Sequence, residues 1–330
     1  MKRELLAKLL ARSKALKLLR PLRARGLLAL NYHRIATALP EYCDPDLLSA
    51  SADAFEAQVK FLRQHAELIV PAEIEDARRD RRNRHVLITF DDGYRDNYDN
   101  AFRILKAHGA RATFFIASDY IDHPRLPWWD AITALVGSTV VERIELPEFG
   151  LAPLSLAGPE RAAAVRQLLS LYKALPLARA KALLATLQQL PGADLPDARS
   201  QWMDWVLLRA MHVAGMAIGG HTMHHPVLAR LSRAEQQAEI DGCAARLRSE
   251  LGIDMHCFAY PVGKRDSFNA DSRDALRAAG VRYAFSYYGG FHGLRTDDDL
   301  DIRREPIEPH VSPELFSAIC TLPQIFCRER

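Results

Sequence analysis

Two adjacent carboxylates, Asp91 and Asp92, close the run V-L-I-T-F-D-D-G-Y at residues 86–94, and two imidazoles four apart, His221 and His225, sit in H-T-M-H-H-P at 221–226. Neighbouring carboxylates can divide labour, one holding a cation while the other stays free to move a proton. The same Asp-Asp-Gly also serves as ordinary turn chemistry, so the pair alone decides nothing. A spacing of four places His221 and His225 on one side of a helical turn, within reach of a single ion. His224 offers a competing pair with His221. Imidazoles with a carboxylate suit zinc and its neighbours, and three protein ligands leave a position for water, whose pKa the ion lowers to about 7. His33, at the end of L-L-A-L-N-Y, is a further candidate for proton transfer, with a purely structural histidine as the alternative.

Positioning these groups takes strands that stop where the chemistry begins. Leu27–Tyr32 reads as a buried strand delivering His33, and Val86–Phe90 as one delivering the two aspartates. Met216–Gly219 delivers the histidines, and His256–Tyr260 leads into Pro261-Val262-Gly263. Further strands are expected at Ala112–Ala117, Arg282–Ser286 and Ile302–Ile307. Helices fall between them: from Asp53 (taken as the cap, with Glu56 three residues on), over Asn97–His108 up to Gly109, over Trp205–Val213, from the Ser232/Glu235 capping box to Gly252, and over Asp271–Ala279. Strand, helix, strand in about thirty residues is a βαβ unit, so the sheet is parallel. Six or seven such strands suit an α/β fold of the small or distorted (β/α) barrel kind. In parallel barrels the carboxyl ends of the strands collect catalytic side chains. Between about 127 and 201 the rhythm turns to Ala- and Leu-rich helical segments, Glu160–Leu175 and Leu177–Leu190, bounded by Pro176, Pro191 and Pro196. This reads as a helical insertion in a 27–330 barrel, its Trp128 and Trp129 serving either to pack the insert or to stack on a sugar ring.

The chain has 330 residues, 48% hydrophobic and 26% charged, with a net charge of +3. That is the composition of a globular protein large enough for one barrel. Residues 1–26 carry nine Lys or Arg against one acid, Glu4, a net +8 that leaves about −5 for the rest. The body is therefore no nucleic-acid-binding face. Leu5, Leu6, Leu9, Leu10, Leu16 and Leu19 recur near helical spacing among those basic residues. Such a basic amphipathic N-terminal helix either docks on its own domain or lies on an anionic membrane surface. Five cysteines without a C-x-x-C pair argue against thiolate zinc sites and a disulfide framework. No secretory signal or membrane span is legible. The expectation is a cytoplasmic protein, peripheral at most to the inner membrane face.

Taken together and in order, T-F-D-D-G-Y, H-T-x-x-H-P and F-A-Y-P-x-G resemble the motifs of the NodB-homology polysaccharide deacetylases, carbohydrate esterase family 4. The opening strand ending N-Y-H-R is similar to the permuted branch of poly-N-acetylglucosamine deacetylases. The resemblance implies a distorted barrel holding one divalent ion, usually zinc, that removes acetyl groups from N-acetylated sugars. Carried over by position, it makes Asp91 the general base and Asp92, His221 and His225 the metal ligands. Pro261 would fix the loop so that the Val262 N–H faces the oxyanion, and Thr222 would orient the site. The permuted branch implies His33 as the acid, with His310 as a second candidate. Ala259 departs from the pattern, standing where many members have an Arg that pairs with the base. Arg304 is the proposed replacement, with Arg303 and Lys264 as competitors. The substrate expected is an N-acetylated glycan or a lipid- or nucleotide-linked precursor. A formamido sugar, a cyclic amide, and a non-catalytic glycan- or membrane-binding module are the rival readings.

Overall fold

The computed structural model describes residues 2–13, 15–80, 85–293 and 298–329. Lys14, one of the basic residues of the N-terminal segment, lies outside them. Seven strands run parallel: β1 (Gly26–Tyr32), β2 (His85–Phe90), β3 (Thr113–Ile116), β4 (Ala217–Gly220), β5 (Cys257–Ala259), β6 (Tyr283–Phe285) and β7 (Arg304–Pro306). Their spatial order is β6-β5-β4-β3-β2-β1, with β7 on the far side of β1. The sheet then comes round on itself. Ile302, just before β7, bridges Phe285 at the end of β6, with Ile302 N donating to Ala284 O at 2.8 Å and Ser286 N to Ile302 O at 3.0 Å. One short segment, 302–306, thus joins the last strand to the first, and the fold is the expected distorted barrel.

Alternation along each strand sorts its side chains. Leu27, Ala29, Leu87, Phe115, Cys257, Ala259, Tyr283 and Phe285 fill one cluster inside the barrel. Leu28, Leu30, Tyr32, Val86, Ile88, Phe90, Phe114 and Ile116 point outward into the larger core. Runs buried on both faces are why these strands read as continuous apolar stretches. Around them, in chain order, lie α1 (Lys2–Arg12), α2 (Ala52–His65), α3 (Trp128–Ser138), α4 (Glu160–Ala174), α5 (Leu177–Gln188), α6 (Arg233–Leu251) and α7 (Pro313–Thr321). The capping box of α6 and its left-handed Gly252 are both present.

Three sequence expectations need correction. The N-cap of α2 is Ser51, whose hydroxyl accepts from Ala54 N at 3.2 Å, so Asp53 lies inside the first turn. Residues Asn97–Phe102 are wound as π-helix before the chain returns to α-helix at Arg103–Ala107. The wider turn brings Asn97 to the backbone of His33 and Asn100 to that of Ile35, their amides donating to the carbonyls at 2.6 and 2.7 Å. The described residues of 1–26 are not assigned to one helix. They form α1, a short helix Ala15–Leu19 and a 3-10 turn at Arg20–Leu22.

Helices α3, α4 and α5 form a second core with Trp128, Trp129, Ile132, Leu168 and Leu183. Tyr94 and Tyr120, from the rim of the barrel, belong to the same cluster and stack on Trp202 with ring centroids 4.8 and 4.6 Å apart. The helical segment is therefore rooted in the rim at which β2 and β3 end.

Candidate active site

β1 and β2 lie in register, Asn31 beside Thr89 and Tyr32 beside Phe90, so the residues that follow them emerge together. Asp91, at the inner end of β2, is buried and held from two sides. Arg304 of β7 donates Nη1 to Oδ1 at 2.7 Å and Nη2 to Oδ2 at 2.8 Å, and Asn31 Nδ2 donates to Oδ2 at 2.9 Å. The guanidinium is itself anchored, Nε to Ser286 O at 3.0 Å and Nη1 to Thr89 Oγ1 at 3.2 Å. Burial pushes the Asp91 carboxyl up, but Arg304 and then His221 outweigh it and hold the group well below the ordinary carboxylate range. A two-pronged charged hydrogen bond is the strongest anchor available to a buried carboxylate. Arg304 thus stands where the missing motif Arg was sought. Arg303 turns away to Glu329, with Nη1 2.6 Å from Oε1, and Lys264 lies exposed at the rim of the pocket.

Asp92, the next residue, faces the histidines. Its Oδ1 is 3.4 Å from Nε2 of His221 and 3.4 Å from Nε2 of His225, and all three residues are buried. The Nδ1 of His221 lies 2.7 Å from Ala259 O. A carbonyl only accepts, so Nδ1 carries a proton and Nε2 is the nitrogen turned to the Asp92 carboxylate. Burial disfavours charge on this ring, but Asp92 and Asp91 outweigh it and raise its pKa. Burial and then the His221 charge push His225 down to about 3, which leaves it neutral at physiological pH. Burial raises Asp92, but His221 and His225 more than offset this and keep it ionised. Two imidazole nitrogens and a carboxylate oxygen aimed at one point call for positive charge between them, supplied either by a proton on His221 or by a bound cation. That donor set fits a divalent metal.

The histidines converge by a route the spacing did not suggest. Residues 221–227 form no helical turn. The chain loops through left-handed backbone at Thr222 (φ 65°) and His225 (φ 56°), and Thr222 Oγ1 accepts from His225 N at 3.0 Å. On α6, Glu239 Oε2 accepts from Met223 N at 3.0 Å and His224 N at 2.9 Å, while its Oε1 lies 2.7 Å from His224 Nδ1. His224 is thereby turned away from Asp92. Trp129 packs edge-on against His225, with centroids 4.5 Å apart, and Trp128 Nε1 donates to His225 O at 3.3 Å. Both tryptophans are buried, so each braces the histidine loop, and both still border the pocket.

Among the described residues, four that are not glycine have positive φ: Asp92, Thr222, His225 and Val262. All four surround this site. Such backbone costs of order 1–3 kcal/mol each and persists only where the surroundings over-determine it. Val262 (φ 62°) follows Pro261 and borders the pocket. His33 Nε2 is 4.0 Å from Asp91 Oδ2, and its ring meets the edge of Tyr287. His310 is 72% exposed, beside Glu308, in the outer part of the pocket.

These groups form the floor of a cavity of about 660 Å³. One wall comes from the inserted helices, with Trp128, Trp129, Arg166, Leu169 and Lys173. The other carries His33, Asp44, Asp46, Tyr287 and Glu308. Asn31 and Glu239 escaped the sequence reading, as did Arg166, Leu169, Lys173, Asp44, Asp46, Tyr287 and Glu308 of the walls, whereas Trp128, Trp129 and His33 were among its candidates. Asn31 had a signal, as the one polar side chain in G-L-L-A-L-N-Y.

Residues 78–145 and 165–284, more than half of the chain, match the model of the polysaccharide deacetylase family. The chain belongs to that family. Its members are hydrolases of carbon–nitrogen bonds other than peptides. Over 98 residues the chain is 35% identical to the putative polysaccharide deacetylase YxkH of Bacillus subtilis, and the match takes in 28% of the chain and about a third of that relative's length, 33%. Among solved structures, the Streptococcus pyogenes deacetylase PplD in complex with acetate aligns with a TM-score of 0.60 at 18% identity, over 88% of this chain and 96% of that one. IcaB from Ammonifex degensii aligns at 0.57 and 19%, over 92% and 98%. At those identities the likeness is one of fold, and it extends over nearly the whole of each of those chains.

Proposed function

We propose that this member of the polysaccharide deacetylase family is a metal-dependent enzyme that hydrolyses the N-acetyl group of an amino-sugar polysaccharide or of its biosynthetic precursor. The observation that carries the reading is the pairing of two differently treated carboxylates. Asp91 is locked by Arg304, and its neighbour Asp92 is shared by His221 and His225. A divalent ion held by Asp92, His221 and His225, for which zinc suits the donor set, supplies Lewis-acid activation of water and of the acetamide carbonyl.

The chain's own residues do the rest. Asp91, ionised and fixed by Arg304 and Asn31, takes the proton from the attacking water as the new C–O bond forms. The Val262 N–H, presented by the left-handed turn after Pro261, faces the oxyanion of the tetrahedral intermediate. His33 delivers a proton to the nitrogen as the C–N bond breaks, releasing acetate and a free amine. Burial of the floor keeps bulk water from screening these charges. The test is acetate release from N-acetylated glycans and sugar nucleotides, with and without a chelator. Release that stops on chelation and returns with added zinc supports the reading. Failure to release acetate from any of them, with metal present, overturns it.

A further inference from the structure

α1 docks on the body in an inverted way. It turns its small face, Ala7 with Leu10 and Ala11, onto the core beside α7, and Arg3 reaches Glu305, the neighbour of Arg304. Its larger leucines are left outside. Leu5, Leu6 and Leu9 are 61%, 43% and 57% exposed, and Leu18 and Leu22 beyond it are 82% and 65% exposed. Half of the ten large apolar side chains exposed among the described residues therefore lie within residues 5–22. A sixth, Ile325, follows Gln324, whose side chain bonds to Leu22 O and Ala24 N and so belongs to the same edge of the molecule.

Lys2, Lys8, Arg12, Lys17 and Arg20 are exposed among these leucines. The single acid of the segment, Glu4, is 3.6 Å from Lys8. Lys2, Arg12, Lys17 and Arg20 have no carboxylate partner among the described residues. An apolar stripe flanked by unpaired cations is the chemistry of the anionic bilayer interface, where leucines enter the acyl boundary and Lys and Arg reach the phosphates. No helix among the described residues is long and apolar enough to cross a membrane, so the contact is one of surface attachment.

We propose that the outer face of residues 2–22, led by Leu5, Leu9 and Leu18 with Lys2, Arg12, Lys17 and Arg20, docks this protein on an anionic phospholipid surface. The proposal stands apart from the deacetylase reading and is tested without substrate. The full chain is sedimented with vesicles of phosphatidylcholine alone and of phosphatidylcholine mixed with phosphatidylglycerol. Binding is expected to the mixed vesicles and to fall with salt. Replacing Lys2 and Arg12 by Ala weakens it about fivefold per charge removed. The pair Leu5→Ser and Leu9→Ser weakens it at least about tenfold. These side chains are exposed, so circular dichroism melting of the variants matches the parent. Equal binding to both vesicles, no binding to either, or leucine variants that bind like the parent overturn the proposal. So does a dimer in sedimentation velocity that those leucine substitutions dissolve, because a second copy would then be the occupant.

Discussion

On the floor of the pocket every charged side chain has a fixed answering group. Asp91 has Arg304, Asp92 has two imidazoles, and His221 has a backbone carbonyl. On the wall, Arg166, Lys173 and Lys264 have no carboxylate within ion-pair distance among the described residues, although Asp44, Asp46 and Glu308 border the same cavity. Floor and wall also differ in origin. The floor comes from strand ends and tight left-handed loops of the barrel, and much of the wall comes from α3 and α4, which carry a core of their own. The difference teaches a division of work: the barrel fixes geometry for one reaction, and the inserted helices leave charge free for whatever bears the acetamide. Substitutions on the two surfaces should therefore fail in different ways.

The largest effect belongs to the floor. Asp91→Asn keeps the shape and removes the base, so turnover falls by about 10²–10⁴-fold while bound metal, measured by elemental analysis, stays at the parent level. His225→Ala removes a ligand and loses metal and turnover together. If Asp91→Asn loses metal as well, the two carboxylates do not divide their roles as proposed.

Next comes Arg304→Met, which fills the volume but leaves Asp91 buried without its partner. Breaking a buried pair from one side costs about 3–5 kcal/mol, read by denaturant unfolding. Its pH dependence follows from the direction of the Asp91 shift. The folded carboxyl sits below its unfolded value, so the stabilisation is fully present above the unfolded pKa of about 4 and is lost as pH falls toward the folded one. The gap between parent and variant is expected to be full at neutral pH and to narrow below about pH 4. A gap that widens on acidification contradicts the pairing.

How much of this contrast was legible in the sequence follows the same line. The strands of the floor were readable because burial on both faces leaves continuous apolar runs, and the D-D-G and H-T-M-H-H-P motifs followed them. The way the histidines meet was not, because Thr222 and His225 take positive φ without glycine, and only tertiary contacts such as the Glu239 clamp impose that. Arg304 was picked out from its neighbours only as a candidate. It meets Asp91 because residues 302–306 close the barrel beside β1, a pairing 213 residues apart that no local pattern announces. The wall was the least legible part. Arg166 and Lys173 sit on an Ala- and Leu-rich helix where a basic residue looks like any solvated position.

Lys173 gives the smallest and most discriminating effect. It is half-buried, with Nζ 5.7 Å from the Trp128 ring, and burial lowers its pKa while Asp44 pulls it back up. If the wall only holds substrate, Lys173→Ala raises KM by roughly two- to fivefold and leaves kcat unchanged, since a lost contact of this kind is worth up to about 1 kcal/mol and acts equally on ground state and transition state. Lys173→Arg restores most of the loss for an anionic substrate. A fall in kcat with KM unchanged would instead place Lys173 with the floor, because only a group felt more strongly in the transition state than in the bound substrate produces that split.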